Sequence, residues 1–196
     1  MGGAAMSTRE RILDAAADIL RTRGVAHATT KEIAQATGVS EPTLYKYFPD
    51  KERLLLAVLE ERVPGLSQVT VRPGEGDVEE NLTELAHAAL TFYQRSIPML
   101  GALLADPRRM AAHREAMSRH GAGPDRAVAG FAAYLSAERD LGRIAEDADP
   151  EAAAALLIGA CFQEAFLRYY AEGRDAAAAP RARAEALARA VVRPLR

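Results

Sequence analysis

The stretch TTKEIAQATGVSEPTLYKYF, residues 29–48, decides the fold. Thr29 and Glu32 form a capping box, in which a hydroxyl and a carboxylate satisfy backbone N–H groups left open at a helix start. The helix they begin ends near Thr37-Gly38, where glycine lets the chain turn at a point a side chain would obstruct. Ser40 is a good cap for a second short helix, which stops before Pro49. Ile33, Ala34, Val39, Leu44 and Phe48 face inward on this reading. Ala34 is small enough for close approach, and Leu44 and Phe48, four apart, share one face. Two short helices about a tight glycine turn are the helix-turn-helix plan.

The outward residues carry different chemistry. Pro42, Thr43, Lys46 and Tyr47 point away from the core, Glu41 stands at the exposed start and Tyr45 lies to one side. Thr43 offers a hydroxyl or methyl to a base edge, and Pro42 suits a thymine methyl. Thr30, Tyr45, Tyr47 and Lys51 suit phosphate oxygens. Glu41 either accepts from a cytosine amino group or rejects wrong bases. The helix starts after Thr29 and Asp50 also present N–H groups that suit phosphate. Only three lysines occur against 22 arginines, and Lys31, Lys46 and Lys51 all fall in or beside this stretch. The blander alternative is a three-helix packing unit with solvated polar tips.

Working outward, Thr8–Arg23 reads as a preceding helix with Ile12, Leu13, Ala16, Ile19 and Leu20 on one face, and Gly24 as its stop. Residues 1–7 read as a loose tail. Asp50 caps a helix from Lys51 to about Val63, closed by Pro64-Gly65. Residues 67–76, SQVTVRPGEG, have no helical period and read as a linker. Asp77, with Glu80 completing a second capping box, starts a helix to about Ser96. Pro98, Pro107, the Gly121–Pro124 segment, Gly142 and Pro150 divide the rest into helices near 98–105, 107–119, 124–141, 149–172 and 180–194. The Ala- and Arg-rich 175–184 reads as an exposed loop, and Ala177 to Arg189 as a solvated helix entrance. The expected fold class is all-α, with a helix-turn-helix domain at 1–66 and a helical domain at 77–196.

The stretch Thr29 to Leu55 resembles the signature of the tetracycline-repressor (TetR) family. The matching elements are Thr29/Thr30 with Ile33-Ala34, Thr37-Gly38-Val39-Ser40, Thr43 to Phe48, and Lys51-Glu52 with Leu54. Thr37 replaces the commoner small residue before the glycine. The resemblance covers residues of about 8–62. It implies an all-α homodimer that sets two recognition helices in the major grooves of a near-palindromic operator, usually to repress. It also implies a C-terminal domain that binds a small-molecule effector and releases DNA.

A dimer needs an apolar face that one chain cannot bury. The stretch Ala152 to Tyr170 is the candidate, with Leu156, Gly159, Ala160, Gln163 and Leu167 near one stripe and Leu187 and Val191 contributing from the last helix. Small residues on such a stripe permit close helix packing. Phe92, Tyr93, Met99, Leu103, Met110, Met117, Phe131, Tyr134, Phe162 and Phe166 could converge on an apolar effector pocket, or simply fill cores.

Other chemistry finds little footing. His27, His87, His113 and His120 show no metal-ligand spacing, so no metal or cofactor is expected. Cys161, the only cysteine, reads as a buried inert thiol. No phosphate loop, dinucleotide loop or nucleophile elbow is present, so an enzyme is not expected. The N-terminus lacks the pattern of a secretory signal, and no uninterrupted apolar run has the length of a membrane span. With 49% apolar and 27% charged residues and a net charge of -2, the chain fits a cytoplasmic globular protein. The rival functional readings are an effector-independent or architectural DNA-binding protein, or an activator.

Overall fold

The computed structural model describes residues 6–23, 28–62, 69–119, 123–173 and 176–195, except for the side chains of Arg21, Leu56, Leu59, Glu60, Met99, Ala102 and Arg109. Among them there is no strand. The elements are α1 (Thr8–Arg23), α2 (Thr30–Thr37), α3 (Glu41–Tyr47), α4 (Lys51–Glu61), α5 (Val78–Leu104), α6 (Pro107–Arg119), α7 (Asp125–Asp140), α8 (Pro150–Glu172) and α9 (Arg181–Val192). A short 3-10 turn follows at Arg193–Leu195. The expected stops at Gly24 and Pro64-Gly65 and the residues His27, His120 and Gly121 lie outside the described residues.

The chain forms two compact units. One holds residues 1–63 together with 98–121, so α6 groups with the first four helices although it follows them by some forty residues of chain. The other holds residues 64–97 and 122–196. In the first, Ile12, Leu13, Ala16, Ile33, Leu44, Phe48, Leu54 and Val58 form a single buried cluster. The apolar stripe predicted on Thr8–Arg23 is its floor. In the second, α7, α8 and α9 close over the first part of α5, with Leu82, Leu90, Leu135, Leu157 and Cys161 fully buried.

Pro98 does not divide the chain. Val78–Leu104 is one 27-residue helix with the proline inside it. A helix-interior proline loses one donor and crowds the carbonyl four residues back, which costs about 3 kcal/mol. Burial of the stripe Leu82, Leu85, Ala86, Ala89, Leu90 and Ile97 ahead of it offsets that, since each large side chain contributes roughly 1.5–3 kcal/mol. The separate helix expected at 98–105 is therefore the end of α5.

The expected linker is also more engaged than its composition suggested. Val69 and Val71 pack against the core of the second unit. The following turn is clamped by a buried acid: Gly74 N–H donates to Glu138 Oε1 at 3.3 Å, and Arg143 lies 3.2 Å from the other carboxylate oxygen while donating to the Gly76 carbonyl. Glu138 is fully buried. Breaking such a pair from one side costs about 3–5 kcal/mol, because it strands the other charge. Tyr134 joins the cluster through Asn81, whose amide donates to its hydroxyl at 3.0 Å. Burial, reinforced by Glu138, pushes the Tyr134 pKa well up.

Two further expectations are corrected. Glu80 does not close a capping box. Asp77 alone caps α5, accepting from the N–H groups of Glu79 and Glu80, and the Glu80 side chain pairs with Arg181 on α9. The segment before α9 is no simple exposed loop. Ala179 is buried, as are Ala184 and Ala188 within the supposed solvated entrance, and Gln94 of α5 bonds the backbone of Ala176, Ala177 and Ala179. Alanines carry too little side chain to announce burial.

Cys161 sits inside α8 with no exposed surface, its thiol directed at the Ala86 carbonyl. Burial pushes its pKa up to about 12, and the protonated thiol is not the nucleophilic form. The native protein should therefore react negligibly with a disulfide reagent at neutral pH and take up one equivalent in denaturant. Rapid native labelling would show that α8 opens locally.

Candidate nucleic-acid interface

The local chemistry that shapes α2 and α3 is complete within a few residues of chain. Thr29 accepts from the Glu32 N–H at 3.1 Å. Gly38 stands at φ 70°, the left-handed conformation that glycine adopts without a Cβ penalty. Thr37, the departure from the family pattern, turns its hydroxyl back to the Ile33 and Ala34 carbonyls at 2.9 and 3.0 Å and so fits the helix end. Ser40 accepts from the Thr43 N–H and exchanges a 2.9 Å hydrogen bond with the Thr43 hydroxyl. Asp50 caps α4 through the Arg53 N–H.

Leu44 and Phe48 anchor α3 from below, both essentially without exposure. Arg9 of α1 lies over the Phe48 ring at 5.3 Å and grips Glu61 of α4 through two hydrogen bonds of 2.6 and 2.8 Å. Hydrogen bonding to Arg9 holds the Glu61 carboxyl below the usual range. Both partners are over a third exposed, so the pair contributes well under about 1 kcal/mol. Its effect is to fix where α1 and α4 flank α3.

The outer surface of α3 matches the residues predicted for it. Pro42, Tyr45, Lys46 and Tyr47 are exposed, and Glu41, Thr43, Thr30 and Lys51 are half-buried. Thr30 is not an isolated polar tip. Its hydroxyl donates to Glu41 Oε2 at 3.0 Å and accepts from the Tyr45 hydroxyl at 3.3 Å. Nothing in the sequence pattern announced this chain, which crosses the turn between the two helices.

The residues proposed for an effector pocket do not gather in one place. Phe131 and Tyr134 are buried in α7 and line an open groove of about 460 Å³ in the second unit. Val69, Val71 and Leu85 complete its apolar wall, and Arg126 stands among its lining residues. Phe92 and Tyr93 pack edge to face at 5.5 Å, and Tyr93 meets Phe162 at 5.4 Å. Phe162 and Phe166 emerge on the exposed side of α8. Leu103, Met110 and Met117 belong to the first unit, half-buried, and the Met99 side chain lies outside the described residues. The ten share a bulky apolar character, which fits core and surface positions equally well.

The dimer candidates also divide. Leu156, Gly159, Gln163 and Leu167 are exposed along α8, Ala160 is half-buried beside them, and Tyr170 and Phe166 extend the stripe as a stacked pair 6.4 Å apart. Leu187 and Val191 instead pack, partly buried, against their own unit's core. By length and mean hydropathy α8 could cross a membrane. Its other face (Ala154, Leu157, Ile158, Cys161, Ala165) is built into the core of the second unit. Among the described residues no group of three or more His, Cys, Asp or Glu is placed to hold a metal.

The family comparisons follow the same two segments. Residues 12–58 match the bacterial regulatory proteins of the tetR family, and residues 80–195 match the AefR-like transcriptional repressor C-terminal domain. The chain belongs to the TetR family. This TetR-family protein is a DNA-binding transcriptional regulator and not an enzyme. It is 37% identical over 93 residues to the nucleoid occlusion factor SlmA of Marinobacter nauticus, across 46% of this chain and 47% of that protein. The chain spans about half the length of the curated relatives it matches. Its fold superimposes with a TM-score of 0.68 on a TetR-family regulator from Mesorhizobium loti, at 24% identity over 96% of this chain and 94% of the other. It superimposes with a TM-score of 0.60 on the Bacillus subtilis regulator FadR in complex with stearoyl-CoA, at 17% identity over 94% and 96% of the two chains.

Proposed function

We propose that this TetR-family regulator is a homodimeric, ligand-responsive repressor acting on a near-palindromic operator in the cytoplasm. Residues 1–66 read DNA, with Pro42, Thr43, Lys46, Tyr47 and Lys51 as contacts, and residues 77–196 bind the effector and the second protomer. The observation that carries the reading is the uncovered face of α8. Leu156 is 70% and Tyr170 81% exposed in the single chain, with Phe162, Phe166 and Leu167 between them. A contiguous apolar stripe of this kind marks an interaction surface, and a two-fold pairing of α8 covers it. A two-fold dimer with two recognition helices requires two related half-sites. The match of the C-terminal segment to a repressor domain supports repression. The acyl thioester held by the structurally similar FadR supports a largely apolar effector, which would act by favouring a conformation that fits the operator poorly.

The test is selection of genomic fragments on the purified protein, followed by release with a panel of apolar and acyl compounds. Inverted repeats upstream of genes, with release by some member of the panel, are the expected result. A single unrepeated site would overturn the dimeric reading. Inverted repeats that no compound releases or modulates would favour effector-independent binding.

A further inference from the structure

The hydrogen-bond chain between α2 and α3 has a direction. A hydroxyl has one proton to give. The Thr30 proton goes to Glu41 Oε2 and the Tyr45 proton to Thr30 Oγ1. Phosphate oxygens only accept, so in this arrangement neither hydroxyl has a proton left for the DNA backbone. The phosphate role expected for these two side chains would require the chain to break. What the chain holds in place is a carboxylate. No described residue donates to the second oxygen of Glu41, Oε1.

An ionised carboxylate accepts and does not donate, and phosphates repel it. The donors it can meet in the major groove are the amino groups of cytosine and adenine. Adenine sets the acceptor N7 beside its amino group, so a carboxylate there faces a lone pair. Cytosine offers its amino group beside a C–H edge. We infer that Glu41 is a base-reading side chain of α3, that it accepts from the C4 amino group of one cytosine in each half-site, and that Thr30 and Tyr45 are positioning residues that hold it for that contact. This rests on α3 as the recognition helix.

The test uses the operator recovered with the wild-type protein and a set of variants with each base pair changed in turn, read by fluorescence anisotropy across a salt series. Glu41→Gln should change the preferred base at one position per half-site from cytosine to adenine, the base whose paired donor and acceptor an amide matches. The shift should be about tenfold or more and confined to that position. Thr30→Val and Tyr45→Phe should weaken discrimination at the same position several-fold without changing the salt slope, and Thr30→Ser should restore it. A lost phosphate contact behaves differently: affinity falls alike for all sequences and the slope becomes shallower by about one. Circular dichroism of each variant separates these effects from misfolding. Unchanged base preference in Glu41→Gln, preference for a base other than cytosine in the wild type at that position, or a shallower slope in Thr30→Val would each overturn the assignment. A wild-type protein that selects no sequence at all would overturn the recognition-helix reading beneath it.

Discussion

Phe48→Ala should destabilise the first unit by about 3–5 kcal/mol, the usual cost of emptying a buried aromatic site, and should abolish operator binding at temperatures the wild type tolerates. Phe48 is 1% exposed at the end of α3 and belongs to the same buried cluster as Leu13, Ile33, Leu44 and Val58. Removing the ring leaves a cavity under the recognition helix and takes away the surface on which Arg9 rests. Whole domains are stable by only about 5–15 kcal/mol, so a loss of this size approaches the entire margin of a small helical unit. Urea unfolding followed by far-ultraviolet circular dichroism gives the magnitude. Hydrogen exchange resolved by segment shows whether the loss is confined to the unit that contains α3. A change below about 1 kcal/mol would mean that α3 is held by something other than this core.

The second large effect is at the other end of the chain. The double substitution Leu156→Glu, Phe166→Glu should yield a folded monomer. Both side chains are exposed in the single chain, so the helix and its buried face lose little. Across a two-fold axis, however, each new carboxylate meets like charge on a surface that must be dry to associate. Linking two half-site contacts strengthens binding by about 10²–10⁴-fold over one alone, and operator affinity should fall by a factor of that order. Sedimentation velocity and anisotropy measure the two consequences separately. A variant that remains dimeric would place the interface elsewhere, and a monomer with undiminished affinity would show that pairing is not needed for DNA binding.

The two surfaces were legible in the sequence to different degrees. Around α3, inner and outer residues follow from a helical period and from caps that close within four residues: Thr29 with Glu32, Ser40 with Thr43, Asp50 with Arg53. The exposed stripe of α8 was visible as well, because a helix that is apolar on all sides needs two partners. The effector site was not. Ten bulky residues were named for it, and they are dispersed over two compact units and one outward-facing stripe. Bulk and hydropathy measure the free energy of leaving water and carry no direction. They report that a side chain seeks cover without reporting what provides it.

The sequence by itself determined the helix-turn-helix, the helix starts that carry polar caps, and the residues that face in or out on α3. Each of these depends on contacts between near neighbours along the chain. Only the tertiary structure decided that Pro98 lies within one long helix, that the supposed linker is clamped at Gly74 by Glu138 sixty-four residues away, and that Thr30 and Tyr45 orient Glu41. In each case the partner comes from another element. Whether a lost donor, a buried charge or a spare hydroxyl proton is tolerated depends on what that element presents.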